Sequence, residues 1–192
     1  MNNIRRLAVY CGSAPGSTPN FSGATRATAK AMTDAGVDLV YGGGRLGLMG
    51  LIADSVLANG GKVFGVIPEA LVDLEVAHTG CTELYRVANM HERKAKMTDL
   101  ADAFLALPGG IGTLDELFEA WSWNALGYHA KPFCLLNVDG FWDGLIEFCD
   151  HAHQSGFMSP QRREQLLVAS TPDEALKLLD EAAAAATQGM VW

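Results

Sequence analysis

The chain has 192 residues, of which 49% are hydrophobic, and its formal net charge at pH 7 is −8. This length suffices for one domain with a substantial core, and the acidic balance disfavours nucleic acid as a partner, because nucleic-acid binders usually present a basic face. No apolar run is long enough to cross a membrane, and no signal peptide is recognisable. Four cysteines without a C-x-x-C pair indicate reduced thiols and a cytoplasmic protein.

Short apolar runs alternate with helical patterns along the chain. Continuous apolar runs bounded by Gly or Pro are typical of buried strands, and they occur at 7–11, 38–41, 63–67, 104–107 and 133–136. Residues 82–88 alternate in the manner of a further strand, and 166–168 predict a last one. Helical patterns lie between the strands, near 20–35, 49–59, 90–100, 113–127 and 141–153.

The last predicted helix has the clearest start signal. Thr171 is a typical N-cap, Pro172 suits the first helical position, and Glu174 completes a capping box. The tail 187–192 is predicted to fray. We find no internal repeat and no linker. The regular alternation of strand and helix predicts one domain over residues 1–192, of the α/β class, with a doubly wound (Rossmann-like), mainly parallel sheet and helices on both faces.

Three glycine-bearing turns follow predicted strands, at 11–16, 42–47 and 108–113. Ligands of doubly wound sheets bind at the carboxyl ends of the strands, so the three turns predict one site lined by backbone amides. The turn 42–47 matches G-x-G-x-x-G, but it follows the second strand, and no Walker A pattern is present. We favour a ligand-facing turn there over a dinucleotide site, and a plain tight turn stays open as the alternative.

The turn 108–113 is the strongest of these signals. It joins an apolar strand to a helix N-terminus, which brings free N–H groups and the positive end of the helix dipole to one point and suits a phosphate. Glu116 lies one helical turn further on. Thr113 and Glu116 also fit a capping box, so spacing alone leaves Glu116 open as either a structural cap or a catalytic acid.

A second helix start lies at residues 89–97. Asn89 is a plausible N-cap with Glu92 as its capping partner. Arg93 and Lys94 follow in the first turn, where cations face the positive end of the helix dipole. They are either solvated or placed to hold an anion, as an arginine–phosphate fork would.

Other candidate residues give weaker signals. Glu75 lies in an irregular stretch, 71–80, that is placed to cover the site, although most such glutamates are merely solvated. Cys149 and His153 share a helical face but lack a third ligand, so no metal is predicted. The helix at 113–127 is apolar on more than one face, which either core packing or a second subunit would explain.

Two motifs together resemble one family. Met-His-Glu-Arg-Lys at 90–94 and Pro-Gly-Gly-Ile-Gly-Thr-Leu-Asp-Glu at 108–116 resemble the LONELY GUY (LOG) family of cytokinin riboside 5′-monophosphate phosphoribohydrolases, many of which carry the misleading label "lysine decarboxylase". The resemblance runs from Cys11-Gly12-Ser13 to about residue 135. It implies hydrolysis of the N-glycosidic bond of a cytokinin riboside 5′-monophosphate or AMP, which yields the free base and ribose 5-phosphate. It also implies that no metal or organic cofactor is needed and that the protein is a homodimer with its site near the interface.

The resemblance also assigns the site residues. The catalytic pair falls on Arg93 and Glu116. The substrate-binding residues fall on Ser13, Gly43, Gly44, Met49, Glu75, Lys94, Gly109, Gly110, Ile111, Gly112, Thr113 and Ser122. Two other classes remain as alternatives: a non-catalytic nucleotide or cofactor carrier on the same scaffold, and a dehydrogenase. Arg93 and Glu116 together favour the enzyme over the carrier, and a dehydrogenase would have to bind NAD(H).

Overall fold

The structure, a computed structural model, describes residues 3–188, and the side chains of residues 3–186. Seven parallel strands form a single sheet with the order β4-β3-β2-β1-β5-β6-β7. They are β1 (Arg6–Tyr10), β2 (Asp38–Tyr41), β3 (Val63–Pro68), β4 (Glu83–Val87), β5 (Ala103–Ala106), β6 (Phe133–Leu136) and β7 (Leu166–Ala169). Every predicted strand is therefore present, including the least regular one at 82–88.

The helices alternate with these strands, so the predicted doubly wound α/β class is confirmed. They are α1 (Pro19–Asp34), α2 (Gly47–Ala58), α3 (Met90–Leu100), α4 (Ile111–Ala125), α5 (Asp143–Gln154), α6 (Pro160–Glu164) and α7 (Pro172–Gln188). Short 3₁₀ turns occur at Glu69–Leu71 and Val138–Gly140. In the described part of the chain, no helix has both the length and the apolar character that a membrane crossing requires.

Among the α-helices of the described residues, α6 is the one that the sequence pattern did not reveal. Its single turn is too short for a hydrophobic period, but its start carries a recognisable cap. The Ser159 hydroxyl accepts a hydrogen bond from the Arg162 N–H at 3.3 Å, and Pro160 occupies the first turn. A Ser-Pro pair ahead of a polar stretch was therefore the available signal.

The start of α7 has the predicted N-cap, Thr171, but the Glu174 carboxylate bonds to the residue before the cap rather than to the cap itself. Thr171 Oγ1 accepts from the Glu174 N–H at 3.3 Å, while the Glu174 carboxylate accepts from the N–H of Ser170 at 2.7 Å. Helix α7 continues to Gln188, and the expected fraying of residues 187–192 stays a prediction. Residues 189–192 lie outside the described residues.

Side chains that alternate along the strands build a core on each face of the sheet. In β1, Leu7 and Val9 pack with residues of α1, α2 and α7, whereas Ala8 and Tyr10 pack with residues of α3, α4 and α5. Cys149 is buried in the second of these clusters. Among residues 3–188, no group of three His, Cys, Asp or Glu is placed to hold a metal ion.

The direction in which the chain winds reverses beside β1. The chain proceeds from β1 outward to β4 on one side, then returns to add β5, β6 and β7 on the other. The carboxyl ends of β1 and β5 therefore flank the switch point, where α/β sheets bind their ligands. The Gly12 N–H donates to the Pro108 carbonyl at 3.1 Å and joins the two turns there.

Candidate active site

The N-terminus of α4 opens directly onto the switch point. Its N-cap is Gly110, which supplies no side-chain cap, and the first turn carries no acidic residue. The first N–H groups of a helix have no partner within it, so this end offers donors and a positive dipole end to an anion. The helix thus begins earlier than the predicted start at 113.

The early start of α4 overturns the capping-box interpretation of Thr113 and Glu116. Thr113 is the third residue of the helix and is buried, at 3% exposure. Its hydroxyl lies under Gly109, where an added Cβ would stand only 2.1 Å from Thr113 Oγ1. Gly109 is therefore required for the close approach of this turn to its own helix, and Glu116 has no capping role.

Glu116 is half-buried, and its carboxylate forms no hydrogen bond with the described residues. Burial raises its pKa to about 7, since an ionised carboxylate loses hydration there. The positive charge of Arg93 opposes this shift, and the negative charge of Glu75 adds to it. A carboxyl group with a pKa near 7 and free oxygens is suited to proton transfer at neutral pH.

The predicted cap of α3 is confirmed and fixes where Arg93 lies. The Asn89 side chain accepts from the Glu92 N–H at 2.9 Å, and the Glu92 carboxylate accepts from the Ala88 N–H at 2.9 Å. Since α3 starts at this cap, Arg93 lies in its first turn. Its side chain points inward rather than into solvent.

Arg93 is 3% exposed, so the solvated alternative is wrong for this residue. Its Nη2 donates to the Gly42 carbonyl at 3.0 Å and to Glu75 Oε2 at 3.3 Å. Its Nε is buried without a partner among the described residues. Because Arg93 also lines the adjoining cavity, its buried guanidinium is placed to bind a polar ligand there.

The turn 42–47 packs against the Arg93 guanidinium. A Cβ on Gly42 would lie 2.0 Å from Arg93 Nη2, so only glycine allows the arginine to pack there. Gly43 accepts the His78 N–H at 2.8 Å, and Gly44 packs against Glu75. This turn therefore holds the segment that carries Glu75, and Gly43 and Gly44 do not line the cavity that a ligand would enter.

A cavity of about 240 Å³ lies between these elements. Nine of the predicted site residues line it: Ser13, Met49, Glu75, Arg93, Gly110, Ile111, Gly112, Thr113 and Glu116. Leu71 and Met90 also line it and were not predicted as site residues. Met90 precedes the arginine by one helical turn, and its Sδ lies 3.7 Å from Arg93 Nη1. Its place on the same face of α3 was the signal that would have found it.

Other predicted site residues lie outside this lining. Lys94 Nζ pairs with Asp115 Oδ2 at 3.1 Å and with Glu119 Oε2 at 2.5 Å, and so joins α3 to α4. Ser122 is exposed on α4 beyond the cavity. Gly109 lines an adjoining cavity of about 300 Å³, which shares Ser13 and Gly110 with the first.

A larger cavity lies away from this site. It measures about 780 Å³ and lies near the amino ends of β5, β6 and β7, with Asp102, Lys131 and Gln165 in its lining. None of the predicted site residues contributes to it. Size therefore does not identify the site here, whereas the convergence of an arginine, a carboxylate with raised pKa and a helix N-terminus does.

Fold and cavity together define a class: a doubly wound α/β protein whose switch-point site combines an anion-binding helix N-terminus with a buried arginine and a free carboxylate. A family model described as "Possible lysine decarboxylase" matches residues 49–179. The cytokinin riboside 5′-monophosphate phosphoribohydrolase LOG of Oryza sativa subsp. japonica is 45% identical over 191 residues, which is 100% of this chain and 79% of that protein. The enzyme LOG3 of Arabidopsis thaliana is 44% identical over 94% of this chain and 84% of its own length.

The chain therefore belongs to the LOG family, as its two motifs implied. Solved structures with the same fold include the molybdenum cofactor carrier protein from Chlamydomonas reinhardtii, with a TM-score of 0.71 and 17% identity over 93% of this chain and 98% of that one. The molybdenum cofactor binding protein from Rippkaea orientalis gives a TM-score of 0.68 and 21% identity over 92% and 95% of the two chains. At these identities the likeness concerns the fold alone.

Proposed function

We propose that this protein hydrolyses the N-glycosidic bond of a nucleoside 5′-monophosphate with an adenine-type base, such as a cytokinin riboside 5′-monophosphate or AMP. The products are the free base and ribose 5-phosphate. The observation that carries the proposal is the meeting of Arg93 and Glu116, from two different helices, in one cavity beside the N-terminus of α4. The phosphoribohydrolase names of its relatives point to the same reaction.

The 5′-phosphate binds at the start of α4. Gly110, Ile111, Gly112 and Thr113 supply the N–H groups there, and the absence of an acidic residue from the first turn leaves the helix dipole unopposed. Ser13 and Met49 line the same cavity. Anchoring the phosphate fixes the sugar relative to the catalytic residues, and such positioning lowers a barrier by several kcal/mol.

Arg93 and Glu116 act on the bond itself. As the C1′–N9 bond breaks, its electron pair leaves with the base and the ribose ring gains positive charge. Ionised Glu116 stabilises that charge and accepts a proton from the water that attacks C1′. The departing base takes up a proton from solvent and Glu116 returns its proton to solvent, so that one water is consumed and the base leaves neutral. Arg93 offers its free Nε–H to the phosphate or to a ribose oxygen, and Glu75 holds the guanidinium in place. Lys94 contributes by bracing α3 against α4.

A chromatographic screen for released base tests this proposal. The substrates are AMP, isopentenyl-AMP and other nucleoside monophosphates, each beside its unphosphorylated riboside. We expect base release from the 5′-monophosphates and a loss of at least about 100-fold for the ribosides, because they lack the anchored group. If no nucleoside monophosphate releases its base, the carrier alternative replaces the hydrolase.

We also infer that the protein is a homodimer of single-domain subunits. Large apolar side chains remain exposed on α4 and just after it, at Ile111, Phe118, Leu126 and Tyr128. An apolar surface of this kind is typical of an interface. Light scattering coupled to size-exclusion chromatography should give twice the monomer mass of 20.5 kDa.

Free thiols at all four cysteines favour a cytoplasmic location. The net charge of −8 favours a small-molecule substrate over nucleic acid.

A further inference from the structure

The segment between β3 and β4 carries Glu75 over the cavity and is tied to the turn 42–47. The Arg45 N–H donates to the carbonyl oxygens of Glu75 and Val76, each at 3.0 Å. The His78 N–H donates to the Gly43 carbonyl at 2.8 Å. Two backbone attachments therefore flank the short stretch whose conformation decides where the Glu75 carboxylate lies.

That stretch contains a strained residue. Val76 adopts a φ of 51°, in the left-handed region that a β-branched side chain strongly disfavours. Such a conformation persists only where the surrounding structure holds it. The Val76 side chain is 49% exposed, so its own packing does not supply that hold. The hold must come from the backbone bond between the Arg45 N–H and the Val76 carbonyl and from the residues on either side.

His78 supplies a second, side-chain anchor next to the strained residue. It is 2% exposed, although it lies in an irregular segment. Its Nδ1 accepts the Gly80 N–H at 3.1 Å, so the ring hydrogen resides on Nε2, which donates to Asp54 Oδ1 at 2.9 Å. Asp54 lies on α2, and the imidazole therefore links the irregular segment to a regular helix.

We propose that His78 is a positioning residue, whose bond to Asp54 holds the strained turn at Val76 so that the Glu75 carboxylate stays against Arg93. This inference rests on the proposed hydrolase function, in which Arg93 and Glu116 are catalytic. His78 does not line the cavity and contacts neither catalytic residue. It acts only through the segment that it anchors.

The anchor has an electrostatic consequence at Glu116. Four charged groups act on this carboxyl: Arg93 and Lys94 lower its pKa, while Glu75 and Asp115 raise it. Were Glu75 to move away, one raising charge would be lost and Arg93 would be freed from its partner. Both changes favour the ionised form of Glu116, so its pKa would fall.

The test removes the hydrogen bond between His78 and Asp54 by changing Asp54, the more exposed of the two residues. Asp54→Ala deletes the acceptor for His78 Nε2, and the Asp54 side chain is 54% exposed, so the fold should tolerate the change. Asp54→Asn keeps Oδ1 as an acceptor and should rescue the effect. Arg45→Ala is the matched control, because it removes the other partner of Asp54, at 3.5 Å, and leaves the His78 bond intact.

Two readouts are measured on the full-length protein. Glutamate labelled with ¹³C, with Glu116→Gln for assignment, reports the pKa of Glu116 without any substrate. Asp54→Ala should lower that pKa by about half a unit or more. Steady-state base release from AMP should show kcat reduced about tenfold, with a smaller change in KM. Asp54→Asn and Arg45→Ala should match the wild type in both readouts.

The outcomes separate this proposal from the proposed function. A lowered Glu116 pKa in Asp54→Ala, without base release even by the wild type, would support the anchor and refute the hydrolase. An active wild type with an unchanged Glu116 titration and kcat in Asp54→Ala would refute the anchor alone. Loss of activity without a shift of the titration would also refute it, because that pattern is expected from general destabilisation.

Discussion

Arg93 on α3 and Glu116 on α4 line the same cavity, and the arginine charge opposes the rise in the Glu116 pKa that burial causes. The two residues are distant along the chain and meet because the starts of both helices face the carboxyl edge of the sheet. The pair leaves Glu116 balanced between its two protonation states near neutral pH.

Glu116→Gln should reduce base release from AMP or isopentenyl-AMP by about 10²- to 10⁴-fold, because the amide can neither accept a proton from water nor stabilise positive charge on the ribose as a carboxylate does. Binding of ribose 5-phosphate, measured by calorimetry, should persist because the phosphate donors are unchanged. Glu147→Gln is the matched control: it makes the same change at an exposed carboxylate of α5 that does not line the cavity, and it should stay within about threefold of wild type. Comparable losses in both variants would contradict the role given to Glu116.

The pH dependence of kcat/KM should show an acidic limb near pH 7. Burial raises the Glu116 pKa to about 7, so the active carboxylate is lost as the pH falls through that value, and the rate drops about tenfold per pH unit below it. Because Glu75 contributes to this rise, Glu75→Gln should move the limb to lower pH. The substrate phosphate also titrates near pH 6, but its pKa is the same for both enzymes. A limb that does not move between the two enzymes would therefore not belong to Glu116.

The raised pKa of Glu116 should also appear in the stability of the protein. The ordinary value is 4.5 and the folded value is about 7, so the folded state binds more protons than the unfolded state between these pH values. Folding stability from this group is therefore lost as the pH rises from 4.5 to 7, and the loss is complete above pH 7. Glu116→Gln has no such loss, so its Tm should exceed that of wild type by roughly 3 °C at pH 8 and by less at pH 5. An equal difference at both pH values, in scanning calorimetry, would contradict the buried and charged state assigned to Glu116.

Gly42→Ala should impair the enzyme without unfolding it. The new Cβ would lie 2.0 Å from Arg93 Nη2, so the guanidinium must move away from both Gly42 and Glu75. Since a small displacement of a catalytic group has a large kinetic effect, kcat/KM should fall at least about tenfold. Gly23→Ala serves as the control: it lies in α1 with no neighbour near the new Cβ, and it should stabilise the protein by about 0.5–1 kcal/mol at unchanged activity. Equal activity of the two variants would show that Arg93 tolerates displacement.

The strands were predictable because each is a short apolar run, and even 82–88 kept enough alternation to be recognised. The bounds of α4 were not, since Thr113 and Glu116 imitate a capping box and place the helix start too late. Tertiary structure explains the difference: Thr113 is needed as a buried contact beneath Gly109, so the helix begins at Ile111 with glycine as its cap. A local pattern cannot show that a hydroxyl is used for packing.

The residues predicted for the site line the cavity where they lie at helix starts, and several of the others lie outside it. Arg93 and Glu116 reach the cavity as the motif implied. Lys94, next to the arginine, turns instead to Asp115 and Glu119, because one position along a helix changes the direction of a side chain by about 100°. Gly43 and Gly44 contact the segment that carries Glu75 and do not line the cavity. These contacts are with residues 75–78, which no spacing within 42–47 reveals.

The bridge from Lys94 to Asp115 has a consequence for the alignment of the two helices. Arg93 and Lys94 are consecutive on one helix, as are Asp115 and Glu116 on the other, so two opposite-charge couples sit side by side, one at the rim and one in the interior. The rim ion pair joins α3 to α4 and so helps to hold the two helices in the register at which Arg93 and Glu116 line one cavity.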